Sequence, residues 1–160
     1  MWVKNMLIRK ILKEEFVKLK ELFPGNEELW IKYKNQRLKE FENNEIDVYV
    51  IEENEKFIGE ITVNYISHDL ENETIPNIRV YFEAYRIDKK FQGKGLGQKL
   101  IEYVIDDLQE RGFKEFTIGV EEDNKKAKHI YFKYGFTKAI DYGKGDEFDP
   151  TEYTLYLKTL

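Results

Sequence analysis

The chain has 160 residues, about one domain's length and enough to bury a core without cross-links. It holds no cysteine and two histidines, His68 and His129, which excludes disulfides, thiolate metal centres, a cysteine nucleophile and a histidine-rich metal site. Lys and Arg number 26 against 31 Asp and Glu, and the net charge of −5 argues against a general nucleic-acid binder.

No apolar run approaches the ~20 residues of a membrane span. The first residues lead into a charged amphipathic segment, which predicts no signal peptide, no membrane attachment and a cytoplasmic location. Leu7 to Leu12 reads as a strand. Lys13 to Phe23 places Phe16, Leu19, Leu22 and Phe23 on one helical face and stops at Pro24-Gly25. Asn26 is set to cap a second helix with Leu29, Trp30, Tyr33, Leu38 and Phe41 as its apolar positions. Asp47 to Glu52 and Phe57 to Ile66 read as a hairpin turning at Asn54. Residues 67–77 form a polar, acidic loop before a long strand from Ile78 to Asp88. After three glycines, Leu96, Leu100, Ile101, Val104, Ile105 and Leu108 keep helical spacing up to a C-terminal cap at Gly112. Phe113 to Val120 is a strand and Asn124 to Tyr134 a short helix. Phe136 to Tyr142, then Tyr153, Leu155 and Leu157, mark the last two strands. The order β-α-α-β-β-β-α-β-α-β-β predicts one α/β (α+β) domain over residues 1–160, with a mostly antiparallel sheet.

The segment Glu83 to Gln98 carries the chemistry. A strand runs into Gly93, Gly95 and Gly97, which open a helix. At a helix start the first N–H groups lack intrahelical acceptors and point outward with the positive end of the dipole, a ready anion site. Lys94 and Lys99 add charge. The glycine spacing fails the Gly-x-Gly-x-x-Gly dinucleotide register, and no Gly-Lys-Ser/Thr P-loop is present.

Gln92-x-x-Gly95-x-Gly97 resembles the Gln/Arg-x-x-Gly-x-Gly/Ala pyrophosphate loop of the GNAT superfamily of N-acetyltransferases. Asn124-x-x-Ala127-x-x-x-Tyr131-x-x-x-Gly135-Phe136 is similar to a second signature of that family. The resemblance implies a six- to seven-stranded GNAT fold with about four helices and two splayed central strands, near 80–87 and 114–120. It implies acetyl-CoA as the acyl donor and no metal. Tyr85, Arg86 and Ile87 would give main-chain contacts to the pantetheine and acetyl groups, and Gln92, Gly93, Lys94, Gly95, Leu96, Gly97 and Gln98 would wrap the pyrophosphate. Asn124 would contact the cofactor, cap its own helix, or both. Glu83 takes the register of a general base and Tyr131 that of an acid for the leaving thiolate. The plainer readings are an ion-paired or exposed Glu83 and a core aromatic Tyr131. Lys89 stands where the family often has proline, and Gln92 replaces the commoner arginine.

The resemblance places the acceptor near residues 23–28 and 142–150, where Glu27, Glu28, Asp146, Glu147 and Asp149 fall, with Asp69, Glu71 and Glu73 in the 67–77 loop. Such loops suit a small cationic amine such as a polyamine or an aminoglycoside-like molecule, or are simply the solvated surface of an acidic protein. The expected reaction is direct transfer of acetyl to a small primary amine in a ternary complex, with a homodimer as the assembly that the resemblance implies. The alternatives are a protein or peptide N-acetyltransferase and a non-catalytic acyl-CoA-binding module.

Overall fold

Phe16, Leu19 and Leu22 recur every three residues, and the computed structural model, which describes residues 6–160, winds Lys13–Leu22 as a 3-10 helix, not the expected α-helix. A repeat of three is the 3-10 repeat, so the apolar positions eclipse and bury Phe16 and Leu19 together. The chain divides into two compact units. One runs up to Val63 and takes in Ala84–Leu108; the other comprises Asn64–Glu83 and Gln109–Leu160.

The first unit starts with β1 (Met6–Lys10), two residues shorter at its end than expected, paired antiparallel with β2 (Ile46–Glu53) from Met6↔Glu53 to Lys10↔Tyr49. Helix α1 (Glu27–Glu42) is capped as its sequence predicts, Asn26 Oδ1 accepting from Leu29 N at 2.9 Å. β2 turns into β3 (Lys56–Asn64) through Asn54 and Glu55, whose φ of 49° and 67° are those of a tight hairpin with both central residues left-handed. Nearly every residue of β3 is buried, on both faces. β4 (Arg79–Ile87) gives this unit its last four residues, and α2 (Leu96–Glu110) buries the six apolar side chains that its spacing marks.

The second unit holds the first five residues of β4 with β5 (Glu115–Val120), α3 (Lys125–Lys133), β6 (Lys138–Gly143) and β7 (Tyr153–Thr159). β4 pairs with β5 in parallel from Arg79↔Glu115 to Phe82↔Ile118, as a strand–helix–strand crossover requires. The β5–β7 and β6–β7 pairs are antiparallel, the latter with a register shift at Ala139/Asp141. Phe82 stacks on Phe116 at 5.8 Å and meets Phe136 edge-on at 6.2 Å. Strand order among the described residues is β1-β2-β3-β4-β5-β7-β6, the seven-stranded mixed sheet of the expected fold class.

Residues 67–77 depart from a solvated acidic loop. Glu73 is fully buried. Its Oε1 accepts from Leu70 N at 3.2 Å and from the Ser67 hydroxyl, and its Oε2 from Tyr153 Oη at 2.6 Å. Thr117 Oγ1 donates to its carbonyl at 2.8 Å. Burial pushes the Glu73 carboxyl above the usual range, and the hydroxyls of Ser67 and Tyr153 hold it back. The Tyr153 ring fills the space that side chains on Gly119 and Gly143 would occupy; a Cβ on Gly119 would come within 2.7 Å of it. No helix among the described residues is long and apolar enough to cross a membrane.

Candidate functional site

In the first unit, Gln92 to Gln98 forms a turn feeding α2. Gly93 and Gly95 have φ of 78° and 79°, a left-handed geometry that glycine adopts without steric cost, and both lie open to solvent. The carbonyl of Gly95 accepts from Lys99 N at 3.2 Å and starts the helical ladder. The six amides from Gly93 to Gln98 donate to no acceptor among the described residues. They form a row of unpaired N–H groups at the positive end of a 15-residue helix. Lys94 Nζ lies 5.5 Å from the Phe91 ring centre at the same turn.

The strand end is tied to this turn. Tyr85 Oη donates to the Gly97 carbonyl, and a Cβ on Gly97 would stand 3.1 Å from that oxygen. Gln92 Nε2 donates to the Ile87 carbonyl at 2.9 Å. Tyr85, Ile87 and Gln92–Gln98 therefore come together as expected. Ala84, just before them, has φ of 49° inside the strand, which interrupts its regular alternation.

Arg86 faces different company. Its Nη1 reaches Oε2 of Glu60 on β3 at 3.4 Å. Its guanidinium lies over the rings of Phe23 at 5.7 Å and Tyr33 at 5.8 Å, residues that pack 4.8 Å apart. Glu60 is 1% exposed and its Oε1 has no hydrogen-bond partner. Burial pushes its carboxyl up to about 7, against the pull of Arg86 and Arg37. The sequence reading missed this cluster. A single charged side chain in the stretch from Phe57 to Asn64 was the available signal, and its cation lies 26 residues on.

In the second unit, three expected site residues are each held by a different neighbour. Glu83 Oε2 accepts from Asn64 Nδ2 at 3.2 Å and is half-buried. Asn124 caps α3, its Oδ1 accepting from Ala127 N at 3.1 Å. Tyr131, half-buried, meets Phe136 edge-on at 6.5 Å. Burial, then Tyr134, pushes its hydroxyl up to about 12. Several carboxylates expected to line an acceptor entrance are occupied locally. Asp146 Oδ1 accepts from Phe148 N and Asp149 N at 2.8 and 2.9 Å, Asp149 Oδ1 accepts from Thr151 N at 3.3 Å, and Glu27 pairs with Lys20. Among the described residues no group of three acidic, histidine or cysteine side chains is placed to hold a metal ion.

Residues 7–136 match the family model described as Acetyltransferase (GNAT) family. The chain is 29% identical over 90 residues to N-alpha-acetyltransferase 30 of Schizosaccharomyces pombe, covering 56% of this chain and 57% of that one. It is 35% identical over 66 residues to spermine/spermidine N(1)-acetyltransferase of Bacillus subtilis, covering 41% and 43%. The chain thus spans about half the length of the curated relatives it matches. Its fold is similar to that of the PaiA N-acetyltransferase from Thermoplasma acidophilum in complex with coenzyme A, with TM-score 0.68 and 17% identity over 98% of this chain and 99% of that one. The open amide row after β4 and a family match over residues 7–136 agree: the chain belongs to the acetyltransferase (GNAT) family.

Proposed function

We propose that the chain is an N-acetyltransferase that passes the acetyl group of acetyl-CoA directly to the primary amine of a small acceptor, a cation at neutral pH. The observation that carries this is the row of six unpaired amides from Gly93 to Gln98, which fits a diphosphate. The likeness to a spermine/spermidine acetyltransferase supports a small amine.

Acetyl-CoA supplies the activated thioester. Gly93 to Gln98 bind its diphosphate through backbone N–H groups, with Gln92 holding the turn against the Ile87 carbonyl, and the main chain of Tyr85, Arg86 and Ile87 orients the acyl end and polarises its carbonyl. Glu83, held by Asn64, takes the proton that the ammonium must shed before its nitrogen can attack, through a water molecule. That proton passes to solvent. A second leaves the nitrogen as the C–N bond forms and the C–S bond breaks, and reaches the departing sulfur through solvent, so that the products are the amide and the free thiol. Tyr131 Oη, pushed up to about 12, stays protonated at neutral pH. Full transfer to a thiolate of pKa ~8.5 would be uphill, so Tyr131 acts by donating a hydrogen bond to the departing sulfur. With no cysteine in the chain, no acetyl-thiol intermediate forms on the protein.

Calorimetry with coenzyme A tests the reading. The parent should bind with measurable heat, and Gly95→Val should not, because a branched side chain cannot adopt the turn without strain and covers the amides. Tyr131→Phe should keep the heat and lower turnover about tenfold. A parent that binds no coenzyme A removes the proposal. A second reading, acetylation of a protein N-terminus, has the likeness to N-alpha-acetyltransferase 30 in its favour and is separated by a peptide-against-amine panel.

A further inference from the structure

The Glu60–Arg86 cluster is built to do more than fill a core. Arg86 starts from the strand segment whose main chain the proposed function assigns to the acyl group. Its guanidinium has five N–H donors. Among the described residues it makes one hydrogen bond, the 3.4 Å contact to Glu60 Oε2, and 28% of the side chain is exposed. Phe23 and Tyr33 take ring contacts to the guanidinium, with Trp30 beside both rings at 5.6 and 6.2 Å. Cation–ring contacts of this kind steady an arginine head group without using its N–H donors. Arg37, also over Tyr33 at 5.1 Å, is tied to Glu40 at 3.0 Å, so that cation has its anion.

A guanidinium oriented by two rings and a buried carboxylate, with donors to spare, is complementary to a planar anion, above all a carboxylate, which accepts two parallel N–H bonds. A polyamine would instead bring a second cation against it.

We propose that Arg86 is a specificity residue that binds a carboxylate of the acceptor, so that the substrate is an amino-acid-type molecule carrying both a primary amine and a carboxylate. Glu60 is its positioning residue, holding the guanidinium from the buried side. The amine half rests on the acetyl-transfer reading; the carboxylate half rests on Arg86, Glu60, Phe23 and Tyr33 alone.

Matched substrates test it. L-lysine and cadaverine, or L-ornithine and putrescine, differ by one carboxylate. In a thiol-release assay with acetyl-CoA, kcat/KM for the amino acid should exceed that for the diamine about tenfold or more, the worth of a charge-assisted hydrogen bond. The ratio should fall to near one in R86Q. The double variant E60Q/R86Q should behave alike, and it avoids stranding a buried carboxylate if R86Q fails to fold. E60Q alone should lower the amino-acid preference part of the way, through a higher KM for the amino acid with kcat little changed, because the guanidinium loses its anionic hold. An E60Q that keeps the full preference removes the positioning role. A parent that prefers the diamines or treats the pairs equally overturns the proposal, as does an R86Q that slows both partners by the same factor. Binding is read separately, without acetyl-CoA, from the Arg86 Nε–H resonance. Lysine should shift it and cadaverine should not. A lysine shift without thiol release leaves the carboxylate site standing and removes the acetyl-transfer reading. No shift with any of the amino acids removes the site.

Discussion

Two buried glutamates, one in each unit, are handled in opposite ways. Glu73 is closed: both oxygens and its carbonyl are taken by Ser67, Leu70, Tyr153 and Thr117. Glu60 is half open, with one long contact to Arg86 and one oxygen without a partner. Burial raises both carboxyls, so both positions cost free energy. The difference lies in what the cost secures. The closed carboxylate pins a loop to a strand. The open one keeps a guanidinium aimed, and a native protein leaves a buried polar atom unsatisfied chiefly where something else is to be bound or moved. The amide row at Gly93 to Gln98 belongs with Glu60 in this respect.

The contrast can be broken first at Glu73. Glu73→Ala leaves the Tyr153 and Ser67 hydroxyls and the Leu70 amide without their acceptor, and should cost about 4 kcal/mol in urea unfolding. A variant as stable as the parent would mean that the network is ornamental.

Glu60→Gln sharpens the contrast through pH. The Glu60 carboxyl is raised from 4.5 to about 7 in the folded chain by burial, opposed by Arg86 from β4 and Arg37 from α1. A raised carboxyl contributes stability fully below the unfolded value, and that contribution is lost as pH rises through the folded one. The parent should therefore lose stability between about pH 4.5 and pH 7, and E60Q should gain on it over that window by as much as about 3 kcal/mol. Parallel stability curves for the two proteins would show that Glu60 is not held near neutrality.

Asn124 combines both conditions in one side chain. Its oxygen is closed by the helix cap, and its Nδ2 makes no hydrogen bond among the described residues. Asn124→Asp should keep the cap and stability while weakening coenzyme A binding several-fold, by losing a donor and adding a negative charge. Asn124→Ala should weaken binding and cost about 1 kcal/mol as well. Equal coenzyme A affinity in all three proteins would confine Asn124 to capping.

Much of the fold was legible because local rules and tertiary packing agree. The spacing from Leu96 to Leu108 marks α2 and its buried face at once, and Asn26 and Asn124 cap where their chemistry suits them. The 3-10 helix was misread because Phe16, Leu19 and Leu22 satisfy a period of three and one of 3.6 nearly equally over a single short segment. Within the site, the glycine turn is a local device and shows itself in sequence. Glu60 and Glu73 are not wholly local, although Ser67 and Leu70 lie close to Glu73 in the chain. Each is explained by partners far along the chain, Arg86 for one and Tyr153 for the other, and no periodicity joins them. Glu73 looked like loop charge among Asp69 and Glu71 for that reason.

The slot around Tyr153 gives bare backbone a chemical duty. Gly119 and Gly143 carry no group that could react or ionise, yet any side chain there would lever the phenol away from the Glu73 carboxylate. A mutational scan should thus find two silent-looking glycines as intolerant as the acid whose hydrogen bond they indirectly keep, and a conventional hunt for reactive side chains would pass over both.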